Sequence, residues 1–286
     1  MRDAREVKGA VRAYWNRYPA GYQDVKHLEH ERKKFFDERD RLTKLKSPHL
    51  EKAYGFRDAQ GQKTLEVGCG MGYNAQRLAR CGADLLAMDL ASKAIELTSE
   101  RFRLRGLKAG FLIADVENLP FKDRAFDMVF SSGVIHHTPN MQQAVTEIHR
   151  VLRKGGQARI MIYHKNSFHY YYNILFGTGL IMLVLNLAPD FLRKRILQSR
   201  PYYKNLLLHE RRIPTKAEVI RATEGTGLLN PLSHVSTKRS ARRLSKQFRE
   251  ISFKTAQPLW GGHSASPLLR KIRDRFGWHL YISAVK

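Results

Sequence analysis

The apolar residues of this chain fall into short, nearly unbroken runs at 65–67, 85–90, 111–114, 126–130 and 158–163. Stretches of helical length and mixed polarity separate them. Runs of four to six apolar residues suit strands buried on both faces. Strand and helix alternating at this spacing predict βαβ units and a parallel sheet. A helix is expected at 73–81, directly after the first strand. Two further apolar runs, at 251–253 and 278–285, read as strands that resume the sheet after a long interruption.

The ends of the strands carry the chemistry. The first strand closes on Glu66 and Val67, followed by Gly68, Cys69, Gly70, Met71 and Gly72. Glycines at such a turn let the chain bend tightly and let a ligand lie against bare main chain. A dinucleotide fingerprint would place its third glycine where Tyr73 stands, which argues against a pyrophosphate ligand. An ordinary tight turn before a helix is the alternative reading. Asp89 ends the second strand, 21 residues after Gly68, where doubly wound folds place the carboxylate for ribose hydroxyls. Asp115 ends the third strand and Ser132 follows the fourth. Ligands on open parallel sheets bind outside the carboxyl ends of the strands. Several polar residues in register there are harder to dismiss than one.

The motifs Leu65-Glu66-Val67-Gly68-Cys69-Gly70-Met71-Gly72, Met88-Asp89-Leu90 and Ala114-Asp115-Val116-Glu117-Asn118-Leu119-Pro120-Phe121 resemble those of class I methyltransferases of the small-molecule type. Phe126 to Val129, Gly133 to His137, and Glu147 to Gly156 complete the resemblance, which covers about 63–165. The ubiquinone/menaquinone and natural-product methyltransferases are similar. The resemblance implies an α/β fold: a doubly wound, Rossmann-like, seven-stranded sheet with a C-terminal antiparallel hairpin, a helical N-terminal segment and a helical insert. It implies S-adenosylmethionine (SAM) as cofactor. By resemblance, Glu66, Gly68, Cys69, Gly70 and Gly72 form the loop around its methionine portion. Asp89 and Leu90 take the ribose, Asp115, Val116 and Glu117 flank the adenine, and Ser132 lies near the methionine.

On this reading residues 1–60 are an N-terminal helical cap and 61–165 the SAM-binding core. Residues 166–248 form a helical lid over the substrate pocket, and 249–286 supply the final strands. Cys69 and Cys81 are the only cysteines, so no disulfide framework is expected and a reducing cytoplasm is the default. The N-terminal residues have no apolar core and do not read as a signal peptide.

Charge changes the picture at one end. The net charge is +25, and residues 166–286 alone hold 21 Lys/Arg against 6 Asp/Glu. Such a field suits an anionic partner: an acidic small molecule, an anionic membrane surface or nucleic acid. A solvated basic surface is the plain alternative. Residues 166–189 carry no formal charge, near the length of a membrane span. Asn173, Gly177, Gly179, Asn186 and Pro189 interrupt the run, and a span here would split one sheet across a bilayer. A buried or lid helix is the reading. Attachment to a membrane surface is the alternative, helped by the basic residues after Phe191. The run 238–243 reads as an exposed helix face.

The SAM methyl is already electrophilic, so positioning supplies much of the rate and a base helps when the acceptor carries a proton. His136 and His137, after the fourth strand, are the candidate bases, with helix capping or a substrate wall as the alternative. Tyr14, Trp15, Tyr18 and Tyr22 form an aromatic cluster whose faces are candidates to close over the sulfonium, Tyr14 and Tyr18 foremost. Packing of the N-terminal helix is their alternative role. His164, His169 and His263 are weaker candidates, and the histidines lack a metal-ligand spacing. The function expected is methyl transfer to a small-molecule or lipid-like acceptor at O, N, S or C. RNA methylation and a membrane-surface lipid or quinone methyltransferase are the alternatives. The position after the fourth strand reads Ser131-Ser132-Gly133-Val134. It lacks the Asn/Asp-Pro-Pro-aromatic motif of base N-methyltransferases, and neither cysteine suits a cytosine-C5 nucleophile. A non-catalytic SAM-fold scaffold is set aside because the glycine motif is intact.

Overall fold

The structure is a computed structural model that describes residues 3–199, 207, 212–222, 230–256 and 275–286. Seven strands, β1 (Lys63–Val67), β2 (Asp84–Asp89), β3 (Gly110–Ile113), β4 (Phe126–Ser132), β5 (Leu152–Tyr163), β6 (Glu250–Ala256) and β7 (His279–Val285), form one sheet. Their order is β3-β2-β1-β4-β5-β7-β6. The first five are parallel, while β7 runs antiparallel to both β5 and β6, with Ile160 opposite Ile282 and Phe253 opposite Ile282. This is the doubly wound sheet with a C-terminal antiparallel pair that the resemblance implied. Chain order reverses between β1 and β4, and the crevice of such a sheet opens there.

Alternation along the strands builds two cores. Leu65, Val67, Val129, Ile160, Ile162, Leu280 and Ile282 pack on one face against helix α6 (Met141–Val151), Ala241 and Phe248. Met128, Phe130, Met161 and Tyr281 pack on the other, against α4 (Tyr73–Arg80), Phe102 of α5 (Ser92–Arg105) and the segment 50–59. Both faces are covered, which explains why the strands read as continuous apolar runs.

Two helical additions flank this sheet. The N-terminal one comprises α1 (Ala4–Arg17), α2 (Arg32–Lys46) and α3 (Leu50–Tyr54). Four ion pairs tie α2 to α5: Arg32 Nε to Glu100 (2.7 Å), Asp40 to Arg101 Nη1 (2.5 Å), Asp37 to Arg105 (2.5 Å) and Asp40 to Arg105 (3.6 Å). Arg101 is fully buried. Asn16 on α1 accepts hydrogen bonds from Ser92 Oγ and the Lys93 N–H at the start of α5.

The second addition follows β5. A π-helical stretch (His169–Thr178) runs into α7 (Gly179–Leu187), then α8 (Asp190–Ser199), and later α9 (Lys216–Arg221) and α10 (Lys238–Leu244). Tyr170, Ile174, Met182, Leu185 and Val219 bury themselves around Trp278.

Candidate active site

A cavity of about 390 Å³ opens at the carboxyl ends of β1, β2, β3, β4 and β5. The loop after β1 forms its floor. Gly68 has φ +77°, and a Cβ there would lie 2.1 Å from Val134 after β4, so only glycine lets these two loops close on each other. Asp89 holds the loop from the next strand. Its Oδ2 accepts the Gly70 N–H at 3.0 Å, and its Oδ1 accepts the Ala91 N–H at 2.9 Å. Burial pushes the Asp89 pKa up while these backbone donors pull it down, and the net shift is upward. Thr98 donates to the Gly70 carbonyl at 3.0 Å, so both sides of that peptide are pinned.

Of the residues expected to hold a cofactor, Gly68, Cys69, Gly70, Asp89, Leu90, Asp115, Val116 and Ser132 line this cavity. Glu66, Gly72 and Glu117 do not line it. Glu66 is buried beneath the loop. Burial and the neighbouring Asp89 charge push its carboxyl well above the usual range. Gly72 faces Thr98 and Arg101 of α5 rather than the cavity. Glu117 is used structurally: it accepts hydrogen bonds from Lys8, the Thr138 hydroxyl and the Asn140 N–H. Burial would raise its pKa, but these donors outweigh it and lower it.

The N-terminal addition supplies the rim. Lys8, Val11 and Trp15 stand at i, i+3 and i+7 on α1, so one helix face lines the cavity. Lys8 Nζ reaches Asp115 Oδ2 at 2.5 Å and Glu117 Oε2 at 2.8 Å. Burial alone would lower the lysine pKa, but its two carboxylate partners raise it. Tyr14 and Tyr18, expected at the sulfonium, do not line the cavity. Tyr14 is buried and packs edge-on against Trp15, and Trp15 takes the facing position. The residues 8, 11 and 15 share a helical period that could have singled them out.

The far wall is aromatic. Trp15 lies 5.3 Å from His137 between ring centroids. Tyr163 stacks on Trp278 at 4.4 Å, and His279 lines the same wall. Burial, with His49 nearby, pushes the His279 pKa down to about 3. His137 also lines the cavity, and its Nδ1 lies 2.8 Å from the Leu232 carbonyl. A carbonyl only accepts, so Nδ1 carries the proton and the lone pair sits on Nε2. Asn230 lies 3.3 Å from the same Nδ1 and accepts the Leu232 N–H through Oδ1, which braces the strap 230–232. His136 points away. It is fully buried, 3.9 Å from the Tyr163 ring, with no hydrogen bond to either ring nitrogen among the described residues. Burial and the neighbouring histidines hold its pKa well below the ordinary value, so it is a neutral packing group.

The other histidines stand apart. His164 is buried and bonds to the Gly277 carbonyl; His169 packs against Trp278; neither lines the cavity. His263 lies outside the described residues. The lid expected over the pocket is also differently placed. Among the described residues, no side chain of 166–248 lines the cavity. The insert backs the aromatic wall through Trp278, and the strap at 230–236 bonds to both histidines' surroundings. Among the described residues, the cover is the N-terminal addition. Trp15 belongs to the aromatic cluster the sequence singled out; Lys8, Tyr163 and His279 were missed.

Comparison with known proteins agrees with this geometry. A family model described as a methyltransferase domain matches residues 65–160. The phthiotriol/phenolphthiotriol dimycocerosates methyltransferase of Mycobacterium tuberculosis is 41% identical over 101 residues, 35% of this chain and 37% of the relative. The fatty-acid O-methyltransferase of Mycolicibacterium smegmatis is 40% identical over 101 residues, 35% of this chain and 36% of the relative. The chain thus spans only about a third of the length of the curated relatives it matches. Among solved structures, the PH0226 protein of Pyrococcus horikoshii superposes with a TM-score of 0.50 at 18% identity, covering 86% of this chain and 90% of that one. Its likeness concerns the fold. Sheet order, strand-end residues and these matches agree: residues 65–160 are similar to a methyltransferase domain.

Proposed function

We propose that this chain transfers a methyl group from S-adenosylmethionine to a small or lipid-like acceptor bound against the aromatic wall. The observation that carries the reading is a single cavity. Its floor and one end are lined by Gly70, Asp89 and Asp115, and its other wall by Trp15, His137 and Tyr163. The residues present fit the cofactor. A Cβ placed on Gly70 would meet nothing within 4 Å, so bare backbone faces open space there. Carboxylates suited to hydroxyl and amino donors stand on both sides of it. When bound, S-adenosylmethionine supplies an electrophilic methyl on a sulfonium. Asp89 orients the ribose end, and Trp15 offers an aromatic face to the cationic region.

His137 acts on the acceptor. Its ring lines the cavity with Nδ1 held on the Leu232 carbonyl, and its role is to take a proton from an acceptor hydroxyl as that oxygen attacks. A carboxylate acceptor has no such proton to lose. Relatives named as a fatty-acid O-methyltransferase and a sterol 4-C-methyltransferase (Caenorhabditis elegans, 30% identical over 115 residues, 34% of its length) support an apolar acceptor. Trp15, Pro139, Met161 and Tyr163 give the wall an apolar surface.

The test is calorimetric and kinetic. Asp89→Ala should weaken S-adenosylmethionine binding by about a hundredfold, because a buried acceptor is lost. Unchanged affinity in the folded variant would sink the cofactor assignment. Long-chain fatty acids and hydroxylated lipids would then be assayed by mass spectrometry for methylated product. His137→Ala should cut turnover on a hydroxyl acceptor by roughly a hundredfold, with cofactor affinity retained. Near-normal turnover on that acceptor would remove the base.

A further inference from the structure

Outside the cavity, one surface feature is unlike the rest of the molecule. The insert buries Tyr170, Ile174, Met182 and Leu185 against Trp278 and turns its other side outward. Phe168, Tyr172, Phe176 and Leu180, spaced by four, are exposed along it. Phe176 is 68% exposed, and Phe191, on the helix that follows, 75%. Scattered exposed apolar residues are ordinary, but a row of large ones on one element marks an interaction surface. No Asp, Glu, Lys or Arg occurs between residues 166 and 189. The helix His169–Leu187 is long and apolar enough to cross a membrane by length and composition. Its inner face, however, is docked on the sheet-side tryptophan, so it can lie along a bilayer but not pass through one.

The charges beside the row decide what it meets. Phe191 and Leu192 lead directly into Arg193, Lys194 and Arg195. The single acid there, Asp190, pairs with Arg193 at 2.9 Å. Lys194 and Arg195 are exposed and carry no ion pair among the described residues. Large apolar side chains flanked by basic ones match the headgroup boundary of an anionic leaflet: rings enter the acyl region and cations meet phosphate. A protein partner or a second copy would need acids opposite the same cations.

We infer that the exposed face of residues 168–195 docks this protein on the surface of an anionic lipid bilayer. This stands independently of the methyl-transfer reading, since it uses no residue of the cavity.

The test is vesicle flotation with the full chain. Vesicles of phosphatidylcholine with phosphatidylglycerol are compared with pure phosphatidylcholine. The unmodified chain should float with the anionic vesicles and bind the neutral ones at least about tenfold more weakly. Phe176→Ser/Phe191→Ser should lose about tenfold or more on anionic vesicles, with melting temperature and S-adenosylmethionine affinity unchanged. Lys194→Glu/Arg195→Glu should abolish the preference for anionic lipid. No flotation of the unmodified chain, or equal binding by the serine variant, would overturn the inference. A dimer in sedimentation that the serine variant dissociates, without flotation, would assign the face to a second copy instead and overturn it equally.

Discussion

The two helical additions are fastened to the sheet in different ways. The N-terminal addition combines ion pairs with a buried cluster in which Val25, Phe35 and Phe36 pack on Leu97 of α5. It fastens to α5 through Asp40–Arg101 and its neighbours, and puts Lys8 and Trp15 over the cavity. The first stretch of the insert, 166–189, carries no Asp, Glu, Lys or Arg. The insert fastens through a tryptophan-centred cluster, backs the aromatic wall, and leaves its outer face to solvent. Ion pairs of fixed geometry hold a cover in register over a polar ligand site. Packing around one large ring tolerates sliding and suits a wall that must accept an apolar guest. The N-terminal addition thus lines the cavity directly, while the insert stands behind its aromatic wall through Trp278.

The largest effects should come from cutting each addition loose. Arg101→Met leaves Asp40 without its buried partner and should cost about 3–5 kcal/mol. Trp278→Ala removes the centre of the insert's cluster and should cost a similar amount, about 3–5 kcal/mol. Denaturant unfolding measures both. What separates them is binding: the first should weaken cofactor affinity more than acceptor affinity, the second the reverse. Equal effects on both ligands from both variants would dissolve the division.

A smaller effect comes from pH on the wall side alone. The folded-state pKa of His279, about 3, lies below its ordinary value near 6.5. Folding therefore favours the neutral ring. Its stabilising contribution is whole above pH 6.5 and is lost as pH falls from there toward 3. At pH 5 the loss should be about 2 kcal/mol. Melting curves from pH 8 to pH 5 should show it, and His279→Gln should reduce the loss by about that amount, leaving the part that comes from His136, which burial also holds neutral. A loss undiminished in the variant would place the titration elsewhere.

The smallest effect tests the cover. Lys8 touches two carboxylates, Asp115 and Glu117, at the edge of the cavity. Lys8→Met should cost about 1 kcal/mol of stability, since the pair is only half-buried. Hydrogen exchange at α1 should rise while exchange in the insert stays the same.

The sheet was legible because a parallel sheet covered on both faces demands unbroken apolar runs, and its ligand crevice demands polar strand ends. Gly68, Gly70, Asp89 and Asp115 were legible for the same reason. The cover was not. Tyr14, Trp15 and Tyr18 are adjacent aromatics on one amphipathic helix, and sequence alone does not say which points inward. That is set by docking of α1 on α5 through Asn16, a contact 76 residues away in the chain. The two histidines pose the same problem on a smaller scale. His136 and His137 are neighbours, and the short turn that carries them sends one into the packing and the other into the cavity. The strap that orients His137 lies 95 residues downstream. Tyr163 and His279 were hidden because they read as strand residues, which they also are.

The clamp of Asp89 on the Gly70 and Ala91 amides carries a kinetic consequence. The protein's own carboxylate holds the glycine loop in place, so capture of a ligand need not wait for loop rearrangement. Association there should follow simple bimolecular kinetics, with a rate proportional to ligand concentration and no plateau. Any slow step must then belong to the movement of α1, whose lysine has to stay on or leave Asp115 as the cavity fills.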